Sequence, residues 1–160
     1  MNRFTVSNDF LTTYGNDCDV LVNILMTFIQ DNPYKICVDD KGKALDCYQK
    51  LAMQNEYIRT WINFMGKLGF KCAERICISN NNIANEKDLF LAIASEVYPN
   101  KRLLVGSKQA YYREREQIIS TNGIHLLDAS ETKALLSSPN ITQISYGNGS
   151  PNIYGNNNNL

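Results

Sequence analysis

The sequence predicts a three-layer α/β/α sandwich with a mostly parallel sheet, and three observations carry that expectation. The stretch from Glu86 to Tyr112 reads as an amphipathic helix, a tight reversal, a short buried strand and the start of another helix. Strand-like and helix-like segments alternate along most of the chain. The links between them are short, and alternation with short links builds a parallel sheet covered on both faces.

The central helix is the clearest element. Leu89, Ile93 and Val97 repeat at i, i+4, i+8 with Phe90 and Ala94 beside them, an apolar stripe wide enough to dock on a sheet. Asp88 stands in its first turn, where an acid suits the positive end of the helix dipole. Tyr98-Pro99-Asn100 ends it, and the apolar run from Arg102 to Gly106 is too short for a helix and reads as a strand. The C-terminal end of that strand, Gly106-Ser107, falls where open α/β sheets place their sites.

The other elements follow in order. Phe4 to Ser7 alternates apolar and polar residues and predicts a first strand with Asp9 just beyond it. Tyr14-Gly15-Asn16 is turn-like, and Asp17 to Gln30 carries Val20, Leu21, Ile24, Leu25 and Phe28 at helical spacing. Tyr34 to Val38 is a second strand. A mostly helical region runs to about Phe70 and breaks once near Asn55. Arg75 to Ser79 is a short strand, Lys108 to Ser120 a helix, and Ile124 to Leu127 the last strand, with His125 read as structural or outward-facing rather than as a catalytic base. Asp128-Ala-Ser-Glu131 has capping-box spacing and opens the last helix, although Asp replaces the usual Ser or Thr.

Composition sets the bounds. The 160 residues suffice for one domain, taken as residues 1–137, plus a tail over residues 138–160. Sixteen basic residues balance sixteen acidic ones, which argues against gripping nucleic acid by net charge and leaves room for a local basic strip. Five cysteines without CxxC spacing read as small buried hydrophobes of a reducing compartment. No leader-like N-terminus and no apolar run of spanning length is present in the sequence, so a cytoplasmic protein with no membrane partner is expected.

Acids at strand ends or in first helical turns are Asp9, Asp39, Asp40, Asp46 and Asp88. Carboxylates converging from separate segments bind Mg²⁺ or Mn²⁺, because these hard ions want oxygen ligands. The competing reading makes Asp40 a turn residue and Asp46 a solvated helix residue. Lys101, Arg102, Lys108, Arg113 and Arg115 gather near the same edge and are candidate phosphate contacts, against a solvated helix face with internal ion pairs. Of Tyr111 and Tyr112, one is expected in the core and the other is a candidate for stacking on a base. A Ser/His/Asp set, a P-loop and a GxGxxG motif are all lacking.

Taken in order, Val6-Ser7-Asn8-Asp9, Val38-Asp39-Asp40, Asp46-Cys47-Tyr48, Asp88 to Ala94, Leu103 to Ser107 and Gly123 to Leu127 resemble a PIN-like nuclease domain over roughly residues 3–136. The resemblance implies an α/β/α sandwich that cleaves RNA, less often DNA, with Mg²⁺ or Mn²⁺ held by three or four acids. It would make Asp9 the first-strand acid, Asp46 the acid of the second helix and Asp88 the acid opening the central helix. Ser107 stands where the family usually has a fourth acid; a serine can hold a metal-bound water but supplies no charge. The alternative is therefore a PIN-like binding or scaffold module without catalysis. A small-molecule module is a third reading, and it would show an apolar pocket at the same edge.

The tail forms a second element. Residues 141–160 hold six Asn and three Gly, and Tyr-Gly-Asn recurs after eight residues, at Tyr146 and Tyr154. Short β-prone runs with Gly turns and no charged side chain suit stacking between identical chains, against a default of disorder. The pattern resembles the Asn/Gly-rich motifs that join bacterial signalling and conflict proteins, which implies a defence or toxin setting and a homo-oligomer or partner protein joined through residues 141–160.

Overall fold

A computed structural model of the chain describes residues 2–30, 34–79, 82–98, 102–114, 116–117 and 123–137. The strands among the described residues are β1 (Asn2–Val6), β2 (Tyr34–Asp39), β3 (Ala73–Ile76), β4 (Leu103–Val105) and β5 (His125–Leu127). They form one sheet in the order β3-β2-β1-β4-β5, and every pair is parallel. Helices flank it, which makes the three-layer α/β/α sandwich expected from the alternation.

Burial along the middle strand shows why both faces need cover. Phe4, Val6 and the intervening Thr5 are all buried, as is Ser7 just beyond, so over residues 4–7 neither side of the strand meets water. Ile36 to Asp39 of β2 repeat this. Strands buried on both faces are the rule in parallel sheets, because each crossover lays a helix against a face.

The first connection differs from the sequence expectation. Asn8–Tyr14 is a helix, α1, where only a strand end and a turn were foreseen; Phe10 and Leu11 are its buried residues. The helix predicted over Asp17 to Gln30 is present as α2, built from Cys18–Val20, a π-helical turn Leu21–Leu25 and Met26–Gln30, with the Asp17 side chain accepting from Asp19 and Val20 N–H. The Trp61 indole N–H donates to the Leu25 carbonyl at 3.0 Å.

The long helical region divides where expected. The helices α3 (Lys43–Ala52) and α4 (Glu56–Lys67) meet at Asn55, whose side chain caps α4 by accepting from Tyr57 and Ile58 N–H. β3 lies two residues earlier than the predicted Arg75 start. The central helix is α5 (Glu86–Glu96), and Leu89, Phe90, Ile93, Ala94 and Val97 are all buried as its stripe requires. Lys108 to Glu114, predicted helical, is a series of turns; Arg115 and residues 118–122, where that helix would continue, lie outside the described residues. The last helix is α6 (Ala129–Ser137), and its capping box is reciprocal: Glu131 N–H donates to Asp128 Oδ1 at 2.9 Å and Asp128 N–H to Glu131 Oε1 at 3.1 Å.

All five cysteines are free thiols. Cys37, Cys47 and Cys72 are buried as expected, whereas Cys18 and Cys77 are exposed. No helix among the described residues is long and apolar enough to cross a membrane. The predicted tail lies outside the described residues.

Strand order locates the site. From β1 the chain adds β2 and then β3 on one side, then crosses to the other side of β1 for β4 and β5. The direction of winding therefore reverses between β1 and β4. At such a switch point the connections leave the two strand ends in opposite directions, opening a crevice beyond their carboxyl ends. Val6 pairs with Val105, so the strands end level, and Ser7 and Gly106 enter the crevice together.

Candidate functional site

The switch point is bridged by one carboxylate. Asp9 Oδ2 accepts the backbone N–H of Ser107 at 2.6 Å, and Asp9 Oδ1 accepts from the Ser7 hydroxyl. The same hydroxyl lies 3.0 Å from the Val105 carbonyl, so it can turn its single proton to either acceptor. Ser7 N–H also donates to that carbonyl, at 2.9 Å. Gly106 is required by close approach: a Cβ there would stand 3.0 Å from both Ser7 Oγ and Tyr111 Cε2. The loops after β1 and β4 are thus drawn together by polar contacts that a larger residue would push apart.

Beside this bridge is an open cleft of about 280 Å³ lined by Asn8, Asp9, Asn85, Glu86, Lys87 and Ala110. Its far wall is the start of α5. The Asn85 side chain caps that helix by accepting Asp88 N–H at 2.9 Å, which sets Glu86 and Lys87 in the first turn. Lys87 Nζ pairs with Glu114 Oε1 and sits 5.9 Å from the centre of the Tyr111 ring. Tyr111 is fully buried beside Ser7 and Asp9. Burial first, and the Asp9 carboxylate next, hold its ionisation well above the ordinary phenol range.

Of the acids read from the sequence, Asp9 alone lines the cleft. Asp46 faces solvent in the first turn of α3, while the next residue, Cys47, faces inward. The Cys47 thiol is pushed up to about 12, by burial first and then by the hydrogen bond and charge of Glu86. The helix therefore turns a thiol, not a carboxylate, toward the start of α5. Asp88 is half-buried and is not among the residues bordering the cleft. Asp39 is buried and caps α3, its two oxygens accepting Lys43 N–H at 2.9 Å and Ala44 N–H at 2.7 Å. Asp40 is exposed.

Ser107 follows β4 without being among the residues that line the cleft, and its backbone N–H makes the contact with Asp9. Among the basic candidates, Arg102 Nε donates to the Val97 carbonyl at 2.8 Å. Lys108 Nζ pairs with Glu131 at 2.7 Å and Asp128 at 3.7 Å, at the start of α6. Arg113 is exposed, and Lys101 lies outside the described residues. His125 is half-buried in β5, and burial lowers its pKa.

Sequence reasoning missed Asn8, Asn85, Glu86, Lys87 and Ala110. A signal existed for three of them. Asn85-Glu86-Lys87 is a cap followed by a first turn, and the turn opening the central helix of a parallel sheet must lie at the carboxyl edge of the strands.

The donor chemistry suits a hard cation in a limited form. Asp9 and Glu86 offer carboxylate oxygens and Asn8 and Asn85 amide oxygens, and Mg²⁺ sites commonly use one or two carboxylates, completing their shell with water and substrate phosphate. Among the described residues no three His, Cys, Asp or Glu side chains gather as a dedicated metal cage. Fold and site together define a parallel α/β/α protein with a mixed acid and amide cleft at its topological switch point. Comparison with protein-family models, curated proteins and solved structures finds no match to this chain.

Proposed function

We propose that the chain is a PIN-like, metal-dependent nuclease that cleaves phosphodiester bonds of RNA or single-stranded nucleic acid in the switch-point cleft. The observation that carries this reading is the presence of Asp9 of α1 and Glu86 at the start of α5, two separate elements, in the lining of one open cleft. They would hold Mg²⁺ or Mn²⁺, in place of the set Asp9, Asp46 and Asp88. Such an ion, when bound, lowers the pKa of a coordinated water and offsets charge on the phosphate.

The chain's own residues supply the rest. Ser7 and Ser107 N–H fix the Asp9 carboxylate, so its orientation does not have to be ordered when substrate arrives. The Asn8 and Asn85 amides can position non-bridging phosphate oxygens. Lys87 neutralises phosphate charge once it turns from Glu114. The setting we propose, a bacterial defence or toxin system in the cytoplasm, rests on the sequence resemblance.

The test is Mn²⁺-dependent cleavage of end-labelled single-stranded RNA and DNA. We expect cleavage by the intact chain, its loss in Glu86→Gln and Asp9→Asn, and its retention in Asp88→Asn. Glu86 is exposed and Gln keeps its shape and its hydrogen-bonding oxygen, so circular dichroism of the variant should match that of the intact chain. Retained cleavage in Glu86→Gln would sink this site assignment.

A second reading has its own observation. Both Asp9 oxygens already accept hydrogen bonds that tie β1 to β4, as a purely structural strut would. On that reading the domain is a binding or scaffold module, assembled through residues 141–160. Absence of cleavage by folded intact protein in Mn²⁺ would favour it.

A further inference from the structure

The sequence pair Tyr111-Tyr112 divides in the structure, and the division identifies a surface. Tyr111 is fully buried between the bridge at Asp9 and the ammonium of Lys87. Tyr112 is 72% exposed, two residues beyond Ala110 of the cleft lining. Its backbone is not loose: Tyr112 N–H donates to the Gln109 carbonyl at 3.4 Å, in a turn pinned by Ser107 N–H at one end and by the Glu114–Lys87 pair at the other. Arg113 follows, also exposed. A large aromatic on a pinned turn is an ordered platform, so little conformational entropy is lost when a flat partner covers it.

Other exposed apolar side chains sit elsewhere. Val22, Met53, Phe64 and Leu68 belong to the helical layers or their ends, and Tyr98 follows the carboxyl end of α5, the end opposite the cleft. Among the exposed large hydrophobics of the described residues, Tyr112 is the one whose own turn lines the cleft.

We infer that Tyr112 is a base-stacking platform and Arg113 a phosphate contact, together forming a subsite for one unpaired nucleotide beside the cleft. The chemistry is specific about strandedness. A stacked duplex has no free base face to offer, whereas every base of a single strand does, whatever its sequence. Arg113 adds charge but no sequence information. The subsite thus sets a preference for single strands with little preference among bases. The inference deepens the nuclease reading and rests on the same cleft, but binding at this subsite needs no metal.

The experiment is fluorescence anisotropy of a labelled oligouridine strand, and of an abasic strand of equal length and charge, in EDTA with intact protein. We expect Tyr112→Ala to weaken oligouridine binding about 10-fold, within the range for losing one base–aromatic stack, and to leave the abasic strand unchanged. Tyr112→Phe should bind like the intact chain, because the ring and not the hydroxyl stacks. Arg113→Gln should weaken both strands alike and lower the dependence on salt by about one ion. Equal affinity of Tyr112→Ala and the intact chain for oligouridine overturns the inference, as does an equal loss on both strands or no binding of either. If Tyr112-dependent binding is present but no cleavage follows with Mn²⁺, the subsite stands and the nuclease reading fails. Cleavage that ignores Tyr112 has the reverse meaning.

Discussion

Asp9 Oδ2 accepts the backbone N–H of Ser107 at 2.6 Å across a separation of 98 residues, closing the switch point between β1 and β4. A carboxylate that accepts an N–H from one loop and a hydroxyl from its own makes charge-assisted bonds, each stronger than a neutral pair. Its removal leaves the Ser107 N–H without its acceptor.

Asp9→Ala should therefore destabilise the domain by about 1.5–3 kcal/mol, the cost of losing hydrogen bonds to a charged group. Ser107→Ala, which keeps the N–H, should stay within about 0.5 kcal/mol of the parent. Urea unfolding followed by circular dichroism measures both, and equal losses would show that the Ser107 hydroxyl, not its backbone, carries the contact.

Asp39 offers a parallel test on the neighbouring strand. Its buried carboxylate accepts from the first two N–H groups of α3, Lys43 and Ala44, although Gly42, at φ 81°, occupies the cap position itself. Asp39→Ala should cost about 2 kcal/mol, at the upper end for a lost cap. Asp39→Asn, which retains one good acceptor, should cost roughly half of that. A shift of the urea midpoint in that order, with unchanged slope, is the expected result.

The buried thiols predict alkaline sensitivity. Cys37 and Cys47 are each pushed from 9.0 up to about 12, chiefly by burial. Between those limits the folded chain keeps protons that the unfolded chain has released, so the stability these groups contribute is full below about pH 9 and is lost as pH rises toward 12. The decline should be on the order of 1 kcal/mol per pH unit for each thiol. Unfolding midpoints from neutral pH to about 10 should fall above the ordinary thiol range, and Cys47→Ala should flatten the fall.

Much of the fold was legible because its signals are periodic. The stripe of α5, the Asn55 break and the Asp128–Glu131 box each follow from spacing within a single element. The helix α1 was not, because seven residues with two buried positions make barely two turns, and Asn8-Asp9 looks like a strand end. The site was only partly legible. Asp9 could be placed by strand order, but Asp46 and Cys47 are adjacent on one helix, and which of them turns inward is settled by packing around Tyr48 and Ala44. Lys108 and Arg102 looked free because their partners, Glu131 and the Val97 carbonyl, become neighbours only through tertiary structure.

Amide NMR during a Mn²⁺ titration tests most directly whether the cleft lined by Asp9 and Glu86 holds the proposed cation. Paramagnetic broadening falls steeply with distance from the ion. The expected result is early loss of the Asn8, Asp9, Glu86 and Lys87 amide signals, abolished in Glu86→Gln while the spectrum otherwise keeps its dispersion. Broadening centred on Asp46 of α3 or Asp19 of α2, or none at these four amides at millimolar Mn²⁺, would contradict it.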